Sequence, residues 1–188
     1  STPTNHTGTY PNTGTTVVTY EYKRNDAGNV IVHHYEDGTT TPLVPDITMN
    51  GAGKLGLPYT TTEHNIPNFT LVAQPANKNG NYTTGNQTVT YFYRRNNAGN
   101  VLVHHVEQGT GTTLAPDENL SGAGKSGLTY TTSPANIANY TVVNATPANN
   151  TGTYPATGTI VVTYEYKRND AGDVVVHHYI DGTTTPLV

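Results

Sequence analysis

Cysteine and tryptophan are absent from the 188 residues, and methionine occurs once. No disulfide framework can therefore form. A chain so poor in oxidisable groups, and rich in Thr and Asn, fits an extracellular protein whose stability does not rest on disulfides. Charge is scarce as well: Asp, Glu, Lys and Arg make up 12% of the residues, against roughly 25% in ordinary soluble proteins. With a formal net charge of −4 there is no electrostatic footprint for nucleic acid or an anionic membrane. Long apolar runs are also missing, none approaching the roughly 20 residues of a membrane span, so no membrane insertion is expected. Nor does a basic, apolar leader follow Ser1, which places any export signal or anchor outside these residues.

What fills the space is Thr, Asn, nineteen Gly and fourteen Tyr. Leu, Ile, Val and Phe together stay just under about 20% of the chain, too few for one thick core and enough for several thin ones supported by tyrosine. Internal repetition gives the number of units. The stretch "AGNVIVHHYEDGTTTPL" from Ala27 returns as "AGNVLVHHVEQGTGTTL" from Ala98 and "AGDVVVHHYIDGTTTPL" from Ala171, at offsets of 71 and 73 residues. The two extra residues fall in the Asn/Pro/Gly-rich run between Thr141 and Gly158, where an insertion in a surface loop costs little. The frame reads as residues 1–28 closing a preceding repeat, 29–99 as repeat 1, 100–172 as repeat 2, and 173–188 opening a following one. Units of roughly 70 residues sit near the lower limit of independent stability, so support from neighbouring repeats is expected.

Periodicity reads as strand nearly throughout. In "TTVVTYEY", Val18, Tyr20 and Tyr22 share one face and Val17, Thr19 and Glu21 the other, the two-residue period of a half-buried strand. "KRNDAGNV" supplies turn chemistry, and "VIVHHY" resumes the alternation. No segment keeps a helical period for three turns, although a short helical turn before Ile66 and Ile137 fits the pattern. The fold class is mainly β.

These units resemble the mucin-binding (MucBP) repeats of Gram-positive surface adhesins. The resemblance rests on five pieces in order: the strand and turn from Val30 to Gly38; the Gly-x-x-Gly-x-x-Tyr-Thr element at Gly53, Gly56, Tyr59 and Thr60; Ile66 with Phe69; Gly80 to Thr84; and "QTVTYFY" from Gln87. The second unit repeats them with Gly124, Gly127, Tyr130, Ile137, Tyr140 and "IVVTYEY". One departure is the second histidine, at His34, His105 and His178, where the family usually places an inward Tyr. The resemblance implies small β-grasp, ubiquitin-like modules in an elongated tandem array. It also implies a location on the bacterial cell wall, with the glycans of host mucin or other glycoproteins as partners. Because the opening strand from Val174 and the closing strand before Gly28 are halves of one unit, head-to-tail self-association is a further expectation.

Three other signals carry chemistry on their face. Adjacent histidines on a strand point to opposite sides and cannot chelate one ion. If Val30 and Val32 face inward, His34 does too, neutral and hydrogen-bonded, and His33 is left on the outer face. His33, His104 and His177 then form a ladder that either stays structural or binds sialylated or sulfated glycans once protonated. "GAGKLG" and "GAGKSG" satisfy G-x-G-x-x-G, but the residues after each are strand-like, and the glycine a phosphate loop needs is Asn119; turn glycines explain the motif better. Lys54 and Lys125 raise the question of Lys–Asn cross-links, against which stands a solvated turn lysine. For catalysis, acids that change identity across copies, Glu36–Asp37 becoming Glu107–Gln108 and Ile180–Asp181, are unlike a reaction centre; no enzyme, metal or cofactor is expected. With Trp absent, stacking on sugars falls to Tyr. Tyr91, Tyr93, Tyr164 and Tyr166, with Tyr20 and Tyr22, recur on the inward face, whereas Tyr10, Tyr82 and Tyr154 lie in polar, turn-rich runs and are the candidate exposed set.

Overall fold

A computed structural model describes residues 2–187, which divide into two compact units, the first ending at residue 96 and the second beginning at residue 97. Among the described residues every regular element is a strand. The first unit contains β1 (Val30–Glu36), β2 (Ile47–Met49), β3 (Pro58–Thr60), β4 (Phe69–Leu71), β5 (Asn79–Asn81) and β6 (Gln87–Arg95). Four of these make a mixed sheet in the order β2-β1-β6-β4. Its centre is the parallel pair β1 and β6, in register from Val30 opposite Gln87 to Glu36 opposite Tyr93. The outer strands run antiparallel to them. First and last strands parallel at the centre, with the others at the edges, is the β-grasp arrangement, here without its helix.

The second unit repeats this with β7 (Asn100–Glu107), β8 (Thr113–Leu120), β9 (Thr129–Thr131), β10 (Tyr140–Val142), β11 (Thr151–Thr153) and β12 (Thr159–Arg168). Its sheet order is β10-β12-β7-β8, with β7 and β12 parallel. The β7–β8 register shifts on either side of His105.

Alternation decides what each sheet buries. Val30, Val32 and His34 from β1 meet Val89, Tyr91 and Tyr93 from β6, all at most 2% exposed. In place of a helix, the small β3–β5 pair and the loops around it cover this face, contributing Tyr59, Ile66 and Tyr82. The Tyr59 ring lies against Gly80, whose added Cβ would come within 2.8 Å of it; a strand glycine thus makes room for an aromatic on the opposite strand. Thr61 and Tyr91 close the core with a buried hydroxyl pair at 2.9 Å, repeated by Thr132 and Tyr164.

The entering chain is threaded beneath the Gly-rich turn. Ala27 donates to the Gly51 carbonyl at 2.9 Å, and a Cβ on Gly51 would lie 2.1 Å from the Gly28 oxygen. Gly53 has φ +67°, a conformation that favours glycine, and its amide donates to Asp26 Oδ1 at 2.7 Å. Asn97 does the same for Gly124 at 2.9 Å. The G-x-G-x-x-G motifs are therefore strand-entry clamps.

Where short helical turns were expected, before Ile66 and Ile137, none forms. Phe69 instead donates to the Ile66 carbonyl across Pro67 and Asn68, with Asn68 at φ +67°. Proline followed by a left-handed residue is type II turn chemistry, and Asn139 at φ +65° does the same in the second unit. Residues 2–29 hold no strand. Besides His6 on the Pro3 carbonyl, they keep a bond from Asn5 Nδ2 to the Val17 carbonyl, which matches Asn77 to Thr88 and Asn149 to Val161.

Candidate functional site

The two faces of the central strands split the paired histidines. His34 is fully buried, its Nδ1 3.0 Å from the Tyr93 hydroxyl and its ring stacked on Tyr91 at a centroid distance of 5.1 Å. His105 repeats this with Tyr166 at 2.8 Å and Tyr164. Burial pushes both imidazoles below the ordinary histidine pKa; for His34 the neighbouring His64 and His33 add to it and Asp46 opposes, while for His105 Glu118 and Asp117 oppose. Burial likewise raises the Tyr93 and Tyr166 phenols. The inward histidine at the family's tyrosine position is thus a neutral core residue held by a phenol.

The other histidine points to the open side of the sheet. Expected to be exposed, His33 is instead partly covered: its side chain is 18% exposed and its Nδ1 lies 2.7 Å from Asp46 Oδ1. His104 makes an aligned hydrogen bond of 2.7 Å to Asp117. The covering carboxylate comes from the segment beside the central strand, a position the residue pattern of one strand does not reveal. Around His33 the open face carries Tyr35, stacked on it at 5.0 Å, and Phe92, directly opposite Tyr35 in the β1–β6 register and 39% exposed. An exposed ion pair, Arg94 with Asp37 at 2.8 Å, borders this patch. At the matching positions the second unit has Val106 and Glu165, so the aromatic pair belongs to the first unit alone.

Of the tyrosines expected at the surface, only Tyr10 is there, at 98% exposure. Tyr82 is 4% exposed, edge-on to Tyr59 at 5.6 Å and with Lys54 Nζ over its ring at 5.3 Å. Tyr154 is half-buried against Tyr130 in the same way. Both are corrections: their polar, glycine-rich surroundings suggested a loop, but those segments form the cover over the core, and a cover needs an inward aromatic. In the other direction, Tyr20 and Tyr22 are 53% and 91% exposed, since no strand lies against them among the described residues. His177 is exposed and stacks on Tyr179 at 5.6 Å. Phe92 and Tyr35 were the residues missed; the signal was Phe92 at the outward position of "VTYFY", where the other copies have Glu21 and Glu165.

Among the described residues no group of three or more His, Asp or Glu is placed to hold a metal, and no helix is long and apolar enough to cross a membrane. What the open face offers chemically is a shallow platform of aromatic ring, imidazole, carboxylate and guanidinium.

Known proteins align with this chain over its whole length. The chain is 39% identical over 192 residues to Internalin J of Listeria monocytogenes serotype 4b (strain F2365) and 37% identical to Internalin J of Listeria monocytogenes serovar 1/2a (strain ATCC BAA-679 / EGD-e). All of the chain is covered, but it spans only about a fifth of those relatives, 20% and 22%. Among solved structures, it is similar to the type 2 repeat of the mucus binding protein MUB from Lactobacillus reuteri, with 16% identity, a TM-score of 0.28, and coverage of 76% of this chain and 100% of that one. Streptococcal High Identity Repeats in Tandem (SHIRT) domains 3-4 from a cell surface protein align at 16% identity and a TM-score of 0.32, covering 74% and 99%. The MucBP domain model matches twice, at residues 29–94 and 100–167, and the chain belongs to the MucBP domain family.

Proposed function

We propose that this segment is a non-enzymatic part of a bacterial surface adhesin, its tandem units making weak, multivalent contact with host mucin or similar glycoprotein glycans. In this reading the units are framed as residues 29–99 and 100–172, between the closing and opening parts of adjoining repeats, outside the cell on the wall. The observation that carries it is the open sheet face at Tyr35 and Phe92, bordered by His33–Asp46 and Arg94–Asp37. Sugar rings present an apolar face to an aromatic and hydroxyls to planar polar groups, which this patch supplies together. Weak sites in series gain through effective concentration. His33 and His104 stand against carboxylates, so a protonated ring there leaves little net field for an anionic sugar.

A second reading, a passive stalk that projects another adhesive domain, is favoured by the burial of Tyr82 and Tyr154. Immobilised mucin and the folded 188-residue chain separate the two. Saturable binding that weakens in Phe92→Ala supports contact at this face. A folded protein with no measurable binding at high micromolar concentration leaves the stalk.

A further inference from the structure

The two units differ at one point beneath the same tyrosine. In the first, the His64 amide donates to the Tyr93 oxygen at 2.9 Å, and we assign the phenol's proton to His34 Nδ1, 3.0 Å away. His34 is then the tautomer protonated on Nε2, and that buried atom has no hydrogen-bond partner. In the second unit the Tyr166 hydroxyl donates to the Ala135 carbonyl at 3.1 Å, so His105 Nδ1 must donate to Tyr166. The same His–Tyr contact thus runs in opposite directions. Residue 64 corresponds to residue 135, and only the first unit has a second imidazole there.

The His64 ring stands edge-on to His34, centroids 4.7 Å apart, on the rim of a groove of about 490 Å³ lined by His64, Ile66, Phe69 and Leu71 among others. The groups facing His34 are Tyr91 and Tyr93 from β6 and His64 from the covering segment, while Asp46 and His33 act on it through space from the other face of the sheet. Asp46 is already in contact with His33, and Glu63 is engaged by Gln74 at 2.8 Å.

We propose that residues 62–65 are an acid-released flap, specific to the first unit, in which the His64 ring packs edge-on against neutral His34 and the segment is released when His34 takes up a proton. A second proton on His34 must enter at Nδ1, where the Tyr93 hydroxyl now donates; that hydroxyl has to turn away, and Nε2–H still has no acceptor. That turn breaks the Tyr93 contact to the His64 amide, frees the segment and widens the groove over Ile66, Phe69 and Leu71. The lowered pKa of His34, to which burial and His64 both contribute, agrees with this direction. The second unit cannot respond in the same way: His105 Nδ1 already donates to Tyr166, so a further proton enters at Nε2 and leaves that contact in place.

Amide hydrogen exchange of the full 188-residue chain, corrected for intrinsic rates, reads both units in one sample. Between pH 7.5 and 5.0 the protection of the position-64 amide is expected to fall about tenfold for each pH unit by which the proton-coupled step is driven, while that of Thr132, bonded to the Asn150 carbonyl, changes less than about twofold. In His34→Phe, which keeps the aromatic packing and removes the titrating group, the fall at position 64 is expected to disappear while β1 and β6 stay protected. Equal loss in residues 61–66 and 132–137, an unchanged wild-type profile, or a His34→Phe variant that still opens with acid would each overturn the flap.

Discussion

The His34 imidazole and the Tyr93 phenol, 59 positions apart in the chain, meet at 3.0 Å in the core of the first unit, and the bond recurs between His105 and Tyr166 at 2.8 Å. It joins the opening strand to the closing strand, so the histidine doublet that marks each repeat is part of the parallel pairing. Removing the phenol oxygen in Tyr93→Phe leaves the His34 Nδ1 and the His64 amide unpaired. A loss of about 1–3 kcal/mol is expected, the cost of stranded buried polar groups, read as a lower urea midpoint at unchanged slope. Tyr166→Phe should lose a similar amount in the second unit.

Acid stability follows from the same pair. His34 and His105 have pKa values lowered in the fold, chiefly by burial, so below the ordinary imidazole pKa the unfolded chain binds more protons than the folded one. Stability from these groups is complete above about pH 6.5 and is lost as pH falls below it. The raised phenols of Tyr93 and Tyr166 act at the other end, where stability declines as pH rises past about 10. Thermal midpoints measured from pH 4 to 11 should therefore show a plateau between these limits. A midpoint that rises on acidification from pH 7 to 5 would contradict it.

How far the sequence discloses this depends on the range of the interaction. Strand alternation is local, and it put Val30, Val32, His34, Tyr91 and Tyr93 on the inward face, where they are. Tyr20 and Tyr164 share the same sequence context, yet one is 53% exposed and the other 0%; burial needs the parallel strand opposite, which no local pattern carries. Tyr82 and Tyr154 failed for a related reason, since polar composition marks a loop but does not say that the loop is the lid of a core lacking a helix. The Asp46 and Asp117 partners of His33 and His104 come from neighbouring segments, so their approach depends on sheet order.

Gly51 and Gly122 should tolerate no side chain. In Gly51→Ala the new carbon would stand 2.1 Å from the Gly28 oxygen and 2.5 Å from that of Ala27, backbone atoms that cannot rotate aside. Unfolding of the first unit, or a loss above about 3 kcal/mol, is expected by calorimetry. Gly38→Ala is the control: φ is +75° but nothing lies within 4 Å, so only the left-handed strain of about 1–2 kcal/mol applies.

Asp26 and Asn97 do one job with different chemistry, each accepting the amide of the clamp glycine, at 2.7 and 2.9 Å. Asp26→Asn should accordingly be close to neutral, whereas Asp26→Ala should cost about 1 kcal/mol through the orphaned Gly53 amide. If both variants lose the same amount in chemical denaturation, the carboxylate charge matters and the amide does not substitute for it.

The open face gives the functional prediction, and the unequal repeats give its internal control. Phe92 lies opposite Tyr35 in the first unit, whereas Glu165 lies opposite Val106 in the second. If aromatic contact with a sugar ring carries mucin binding, Phe92→Ala should weaken it by roughly 1 kcal/mol or more, about fivefold to tenfold in a single-site affinity. Glu165→Ala should have little effect. Phe92 points away from the core, so its loss leaves Val89, Tyr91 and Tyr93 packed, and the thermal midpoint should move by less than about 2 °C. Because this chain presents the aromatic pair once, the loss should be the same on a dense mucin surface and on a soluble glycan, and a larger loss on the dense surface would argue that the second unit binds as well.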